Sequence, residues 1–298
     1  MERRNRTLQE LTIKDNFMFA AVMLDPENAR LVLERILQME IRKVEVLAEK
    51  SIVYNPEYKG VRLDVYAKDE NNTHFNVEMQ AASRPVLRRA RYYHDQIDME
   101  LLATGLDYEE LPDTYVIFIC DYDPIGLGKY KYTRKTVLEE DGNFRFEDGT
   151  HTVFLNTKGN NHEEVPKELI TFLNYVSADL SASQKEYDDE LVTRLQNSVK
   201  KIKLDREMGR CYMLLEEIKK EEYRAGKAEG RLEGELKGKQ DAILELFSEF
   251  APIDQRLENR IRSVRNLDDL KELLRKAATA GSSEEFIAEL DHIQNQTK

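Results

Sequence analysis

Two acidic residues and a glutamine occupy positions from which they could act on one substrate. Asp64 lies in the alternating apolar and polar segment 61–67. Glu78 and Gln80 lie in a second alternating segment, 73–80. The polar cluster between the two segments is typical of a turn, so the pattern predicts a β-hairpin. Residues two apart on a strand face the same side, so pairing of these strands would place Asp64 beside Glu78, with Gln80 on the same face.

Two adjacent carboxylates repel each other and gain stability by sharing a hard divalent cation. Mg²⁺ binds through one or two carboxylates together with waters and phosphate oxygens. The cation can lower the pKa of a bound water and stabilise the charge of a phosphodiester under attack. The spacing is therefore compatible with phosphodiester hydrolysis, in which Asp64 and Glu78 would bind the metal and Gln80 would position the water.

A structural alternative fits the same spacing. Acidic residues are common on the exposed face of a half-buried hairpin, where they bind nothing. In either case the alternation places Leu63 and Val65 on one face and Asp64 on the other. Aspartate is disfavoured in strands, which slightly favours the chemical interpretation. Spacing alone favours the structural alternative.

Arginines near this hairpin are candidates for contacts with substrate phosphate, because guanidinium groups bind phosphate well. Arg62 shares the Asp64 face by alternation, and the others stand at the start of a predicted helix, 84–102. The candidates are Arg62, Arg84, Arg88 and Arg91. The alternative for the run Arg88, Arg89 and Arg91 is a solvated helix face.

The same predicted helix carries four further polar positions. Tyr92 and Tyr93 are adjacent and cannot share a helix face, so at least one should belong to the core. Gln96 lies four residues after Tyr92 and is a secondary candidate for contacting a metal-bound water. His94 is predicted to be a solvated surface residue.

The elements that would hold the hairpin follow from periodicity. Helices are predicted at 11–41 and 84–102, and further strands at 43–48, 51–54, 115–120 and 150–156. Asp25-Pro26-Glu27 indicates a break within the first helical region, with Asp25 as N-cap of the second helix. The run 115–120 is continuously apolar, as in a strand buried on both faces, and Cys120 at its end should be core. This order predicts an α/β fold with a mixed sheet flanked by helices.

Residues 181–298 are predicted to form an all-helical C-terminal region after a first domain at 1–180. Its final part should be a helical hairpin, 241–250 and 267–278. Glycines recur every four residues at Gly226, Gly230, Gly234 and Gly238. This stripe indicates either close helix packing in self-association or a weak helical linker, since each interior glycine costs ~1 kcal/mol relative to alanine.

Composition excludes several classes of protein. The 298 residues are 41% hydrophobic and carry a net charge of −12, so contacts with nucleic acid would need a local basic patch. No apolar run reaches the ~20 residues of a membrane span. Two cysteines are too few for a disulfide framework, and the expected location is the cytoplasm. Nucleotide-binding loops, zinc-protease motifs and serine nucleophile elbows have no counterpart in the sequence.

Six ordered segments carry a resemblance to a known family. They are residues 15–23, 62–66, 77–80, 89–93, 115–120 and 155–159. Together they resemble the PD-(D/E)XK nucleases described as recombination-promoting nucleases or putative transposases, over roughly residues 8–225. A glycine-rich helical tail is also usual in that family.

The resemblance implies a restriction-endonuclease-like core and metal-dependent cleavage of DNA, with Mg²⁺ or alternatively Mn²⁺ as cofactor. Asp64 would match the family's strand aspartate and Glu78 its glutamate. Gln80 stands where the family pattern usually has lysine, which leaves the charge-stabilising role unassigned. Asp15 matches an accessory acid near the metal, or is simply a helix N-cap.

Three functions therefore remain open from the sequence. The favoured one is a Mg²⁺-dependent DNA endonuclease that assembles as a homo-oligomer and has no membrane partner. The second is a catalytically silent nuclease-like fold that binds DNA or protein. The third is an oligomeric scaffold built on the glycine stripe.

Overall fold

The computed structural model describes residues 6–52, 61–249 and 251–296, without the side chains of 48–52, 61, 62 and 296. The strands are β1 Val44–Ile52, β2 Val61–Asp69, β3 His74–Gln80, β4 Thr114–Cys120, β5 Lys131–Arg134 and β6 Thr150–Asn156. The helices are α1 Asn16–Met23, α2 Pro26–Leu37, α3 Leu87–Leu101, α4 Lys167–Ser177, α5 Glu190–Leu204, α6 Arg206–Ser248, α7 Gln255–Ser263, α8 Leu267–Thr279 and α9 Ser283–Gln296. Val53 and Tyr54, predicted as strand, lie outside the described residues.

The strands form one six-stranded mixed sheet in the order β1-β2-β3-β4-β6-β5. Strands β2 and β3 pair antiparallel with Val65 opposite Val77, which confirms the predicted hairpin. Strands β3, β4 and β6 run parallel, so their carboxyl ends meet at one edge of the sheet. The α/β prediction with a mixed sheet is confirmed. Strand β5 was not predicted, because it is a short edge strand whose partly exposed residues give no clear apolar pattern.

Apolar side chains cover both faces of the sheet. One face packs against α1, α2, α4 and α5, with Val65, Val77 and Ile117 in its core. The other face packs against α3, and Phe118 and Ala90 both belong to the core between them. Both faces of β4 are therefore buried, as its continuous apolar run predicts.

Local signals explain where two helices begin. Asp25 caps α2 by accepting a hydrogen bond from the Glu27 N–H, and Pro26 takes the first helical position, as predicted. Helix α3 begins at Leu87 rather than at the predicted Arg84. Arg84 precedes Pro85, whose ring disfavours helical backbone at the preceding residue.

The chain divides into two compact units, 1–213 and 214–298. Helix α5 belongs to the first unit, where Leu191, Val192 and Leu195 are buried in the main core. The division into a nuclease-like domain at 1–180 and a helical region at 181–298 stays a prediction. The second unit has its own core, formed by residues such as Phe247, Leu273 and Phe286.

The predicted C-terminal helical hairpin was wrong in detail. Helices α7 and α9 join α8 and the end of α6 in the core of the second unit. Short helices such as α7 give only two buried positions, Leu257 and Ile261, and so leave a weak periodic signal. None of the helices among the described residues has the length and apolar character needed to cross a membrane.

The glycine stripe lies within the single continuous helix α6. A Cβ added at any of its four glycines would meet no atom within 4 Å. In the described part of this chain, therefore, no neighbouring element packs closely on the stripe.

Candidate active site

The hairpin strands separate where the two acidic residues stand. The paired residues of β2 and β3 run from Lys68 and His74, next to the turn, to Val65 and Val77. One residue further, the Asp64 N–H donates to Oε1 of Glu78 at 3.1 Å, and the Met79 N–H donates to Oδ2 of Asp64 at 3.2 Å. Each carboxylate thus accepts a backbone N–H from the opposite strand, and the two acids lie beside each other as predicted.

This separation disturbs the alternation of β2. Val65 packs in the core on the α1 side of the sheet, whereas Leu63 packs in the core on the α3 side. The prediction that Leu63 and Val65 share a face was therefore wrong. Strict alternation requires an uninterrupted ladder of backbone hydrogen bonds between the strands. At Asp64 this ladder is interrupted, because backbone N–H groups donate to side-chain carboxylates instead of to backbone carbonyls.

Helix α1 contributes a residue that the sequence analysis missed. Nδ2 of Asn16 donates to Oδ2 of Asp64 at 2.9 Å and to the Met79 carbonyl at 3.3 Å. The available signal was its place in segment 15–23 of the family resemblance. Asn16 ties the start of α1 to both strands of the hairpin and orients Asp64.

Asp15, the predicted accessory acid, is engaged elsewhere. Its carboxylate accepts the Thr12 N–H at 2.8 Å and forms an ion pair with Arg6. It occupies the N-cap position of α1. The residues described here contain no group of three or more histidine, cysteine or acidic side chains that could hold a metal ion, so Asp15 is not brought together with Asp64 and Glu78.

Glu78 is the buried member of the pair, with its side chain 2% exposed. Burial and the nearby charge of Asp64 raise the pKa of Glu78 to about 7. Because a bound cation favours the ionised form of a carboxyl, Glu78 becomes fully ionised at neutral pH once the cation binds. Two carboxylates and the carbonyl oxygen of Met79 are hard oxygen ligands, and a site with only two carboxylates suits Mg²⁺, which keeps several waters. The residues present fit a divalent cation.

Arg89, which the sequence places only in a basic run, contacts the carboxylate pair through Glu78. Its Nη2 donates to Oε2 of Glu78 at 3.2 Å and to the Tyr93 hydroxyl at 2.7 Å. Its Nη1 donates to Oε1 of Gln80 at 2.9 Å. The signal was the spacing of Arg89 and Tyr93, four residues apart on one helix face.

Three of the four predicted phosphate-contact arginines are exposed, and the side chain of the fourth is not described. Arg88 and Arg91 on α3 are exposed, and in the described structure neither forms an ion pair. Arg84 is exposed, and its backbone bonds with the Tyr122 hydroxyl. The side chain of Arg62 lies outside the described residues, although its backbone in β2 pairs with Ser51 of β1.

Gln80 is buried, and both ends of its amide are engaged. Its Nε2 donates to the Met79 carbonyl at 3.0 Å, while its Oε1 accepts from Arg89. Gln80 lies opposite Cys120 on the α3 side of the sheet, next to the carboxylate pair. In this arrangement Gln80 holds Arg89; its predicted role in positioning a water stays a prediction.

The other polar positions of α3 divide between core and periphery. Tyr93 is buried, which confirms that one of the two tyrosines belongs to the core, and Tyr92 is partly buried. Gln96 is buried, with Nε2 at 3.9 Å from the Met99 sulfur, and the described contacts do not join it to the carboxylates.

The prediction that His94 is a solvated residue was wrong. It follows Ala90 by four residues and so faces the sheet, where it hydrogen-bonds the Thr114 and Thr152 hydroxyls at 2.8 and 3.1 Å. Burial, with a contribution from Arg134, lowers the pKa of His94 to about 4. His94 is therefore a neutral structural residue between α3 and the sheet.

A charged cluster stands beside the site at the carboxyl ends of β4 and β6. The Asp121 N–H donates to the Gln80 carbonyl at 3.0 Å. The Asp121 carboxylate pairs with Lys158 at 2.8 Å and Lys14 at 3.5 Å, and accepts from the Thr157 hydroxyl at 2.8 Å. Burial opposes ionisation, but Lys158 and Thr157 lower the pKa of Asp121. Two ammonium groups thereby stand at the same sheet edge as the carboxylate pair.

A mixed sheet with flanking helices of this kind is the restriction-endonuclease-like fold of the PD-(D/E)XK class of nucleases. The chain belongs to the family described as PD-(D/E)XK nuclease family transposase, whose sequence model matches residues 16–229. The family resemblance and the predicted fold class are confirmed. No curated protein and no solved structure matches the chain significantly.

Proposed function

We propose that the protein is a metal-dependent DNA endonuclease. The observation that carries the proposal is the pair of carboxylates, Asp64 and Glu78, which each accept a backbone N–H from the opposite strand. A buried acid beside a second acid of like charge is costly unless a cation is shared between them. Nuclease-family membership supports a phosphodiester substrate.

In this proposal Asp64 and Glu78 hold Mg²⁺, with Mn²⁺ as a substitute. The bound ion supplies an activated water and neutralises charge on the phosphate. Asn16 orients Asp64, and because burial and the charge of Asp64 raise the pKa of Glu78, binding of the cation would complete the ionisation of Glu78. Asp15, held by Arg6, is at most an accessory residue.

DNA contacts would come from a local basic surface on an acidic chain of net charge −12. Its candidates are the exposed arginines Arg84, Arg88 and Arg91, together with Arg62 and the site-edge Lys158. Such contacts make binding strongly dependent on salt concentration. Two thiols without a disulfide suit a reducing compartment, and we place the protein in the cytoplasm.

The decisive assay is nicking of supercoiled plasmid by metal-stripped protein after addition of Mg²⁺ or Mn²⁺. Wild type is expected to nick the plasmid only with metal, and Asp64→Ala to lose activity by about a thousandfold or more, equivalent to ~4 kcal/mol. Asp95→Asn, at an exposed position of α3, is the control and should cleave normally. Equal cleavage by Asp64→Ala would refute the site. Absence of cleavage by wild type would favour the silent binding scaffold.

We further propose that the protein forms a homo-oligomer through the glycine stripe of α6. The glycines have open space around them in this chain, so a second helix could approach closely there. The double variant Gly230→Leu/Gly234→Leu is expected to dissociate the oligomer, as measured by light scattering after gel filtration. Gly209→Leu, on the same helix but outside the stripe, is the control. Unchanged mass in the double variant would contradict this interface.

A further inference from the structure

A lysine is missing from the position where this nuclease pattern usually carries a catalytic cation, and Gln80 stands in its place. A neutral amide offers only a dipole to a phosphate that gains negative charge. The nearest cation in the described structure is the guanidinium of Arg89, which contacts both Gln80 and Glu78. A lysine at position 80 would set two positive charges against each other at this point.

We propose that Arg89 is the catalytic cation of this site and that Gln80 is the residue that positions it. The proposal rests on the endonuclease function proposed above. Arg89 binds a non-bridging oxygen of the scissile phosphate and stabilises the charge that develops there. Gln80 acts through Arg89, by accepting one of its N–H groups at 2.9 Å.

Arg89 has N–H donors that the described residues do not use and that can bind a phosphate. A guanidinium has five N–H donors in a fixed planar fork. The described residues take three of them, through Gln80, Glu78 and Tyr93. The Nε–H and one Nη1–H remain for a ligand, and planar forks suit phosphate oxygens.

The surroundings hold the guanidinium in one place. Its central carbon lies 5.3 Å from the centre of the Tyr93 ring and 5.4 Å from that of Phe118. Both rings belong to the core between α3 and the sheet. The cation is therefore fixed by two rings and three acceptors, while its side chain stays 32% exposed towards solvent. Preorganised charge of this kind is the usual source of transition-state stabilisation.

Variants that move the positive charge from position 89 to position 80 test the proposal. Arg89→Gln should lower the rate of plasmid cleavage at saturating DNA by about a hundredfold or more. Arg89→Lys, which keeps the charge, should retain more activity than Arg89→Gln. Adding Gln80→Lys to Arg89→Gln should recover at least about tenfold, whereas Gln80→Lys alone should reduce activity, since contacting residues couple in double-mutant cycles.

A second readout needs neither metal nor turnover. In EDTA, binding of a short DNA duplex is followed by fluorescence anisotropy over a range of salt concentrations. Arg89→Gln should reduce the salt slope by about one phosphate contact, and Arg145→Gln, at an exposed position outside the site, should not.

The outcomes separate this proposal from the nuclease function. If wild type cleaves and Asp64→Ala does not, but Arg89→Gln cleaves normally with an unchanged salt slope, the role of Arg89 is refuted and the nuclease stands. Unchanged cleavage by Gln80→Lys alone would refute the positioning role of Gln80, and no recovery when Gln80→Lys is added to a folded Arg89→Gln would refute a catalytic cation at this point of the site. If wild type cleaves no DNA, an unchanged salt slope in Arg89→Gln would refute phosphate binding by Arg89 as well.

Discussion

Replacing Glu78 with glutamine is expected to abolish DNA cleavage. In the absence of divalent cation, the variant should also become more stable relative to wild type as the pH rises. Cleavage should fall about a thousandfold, because a neutral amide is a poor ligand for a hard cation. The stability effect has a separate cause. Glu78 is buried beside Asp64, and burial together with that charge raises its pKa to about 7.

The direction of the pH dependence follows from proton linkage. The folded protein holds the Glu78 proton more tightly than the unfolded chain, in which the pKa is near 4.5. The stabilising contribution is complete below the unfolded value and is lost as the pH rises through about 7. At roughly 1.4 kcal/mol per pH unit, wild type should lose on the order of 3 kcal/mol relative to Glu78→Gln between pH 4.5 and 8.

Thermal unfolding in EDTA at a series of pH values measures this difference. Adding Mg²⁺ at pH 8 should then stabilise wild type and leave Glu78→Gln unchanged, because only wild type offers two carboxylates. Glu139→Gln, at an exposed loop position, is the control and should follow wild type throughout. A pH-independent difference between Glu78→Gln and wild type would show that burial does not hold a proton on Glu78.

Gly159→Ala should be among the most destabilising single substitutions in the first unit. A Cβ at this position would lie 2.6 Å from the backbone nitrogen of Tyr130 and would overlap its ring. The backbone of Tyr130 is itself held by Asn161 Oδ1 at 2.8 Å, so the loop cannot simply move away. We expect a loss of about 3 kcal/mol in the free energy of unfolding, or a melting temperature lower by ~6–12 °C.

The matched control is Gly142→Ala, where a Cβ would meet no atom within 4 Å. That substitution should change the free energy of unfolding by less than about 0.5 kcal/mol. Gly159 follows Lys158, which pairs with Asp121 at the edge of the site. Equal melting temperatures for Gly159→Ala and Gly142→Ala would show that the 155–159 segment does not need close approach to Tyr130.

Local patterns were sufficient to predict the hairpin and its acid pair. Alternation with a period of two, a polar turn between the segments and the spacing of Glu78 from Asp64 are all properties of neighbouring residues. The same holds for the Asp25-Pro26 helix start and for the buried strand β4. The ordered segments of the resemblance added the family, which the match over residues 16–229 confirms.

Contacts between distant segments lay beyond those patterns. Arg88, Arg89 and Arg91 are equivalent as a basic run, and only the rotation of α3, set by burial of Ala90 and Tyr93 against the sheet, turns Arg89 to the carboxylates. The same rotation buries His94.

The arrangement around the acid pair depends equally on tertiary packing. Asn16 reaches Asp64 across 48 residues of chain, and Gly159 is required by Tyr130 rather than by its own turn. Sequence periodicity reports which face of an element is apolar. It does not report which polar residue at the edge of that face meets a partner from another element, because that depends on how the elements rotate and pack on one another.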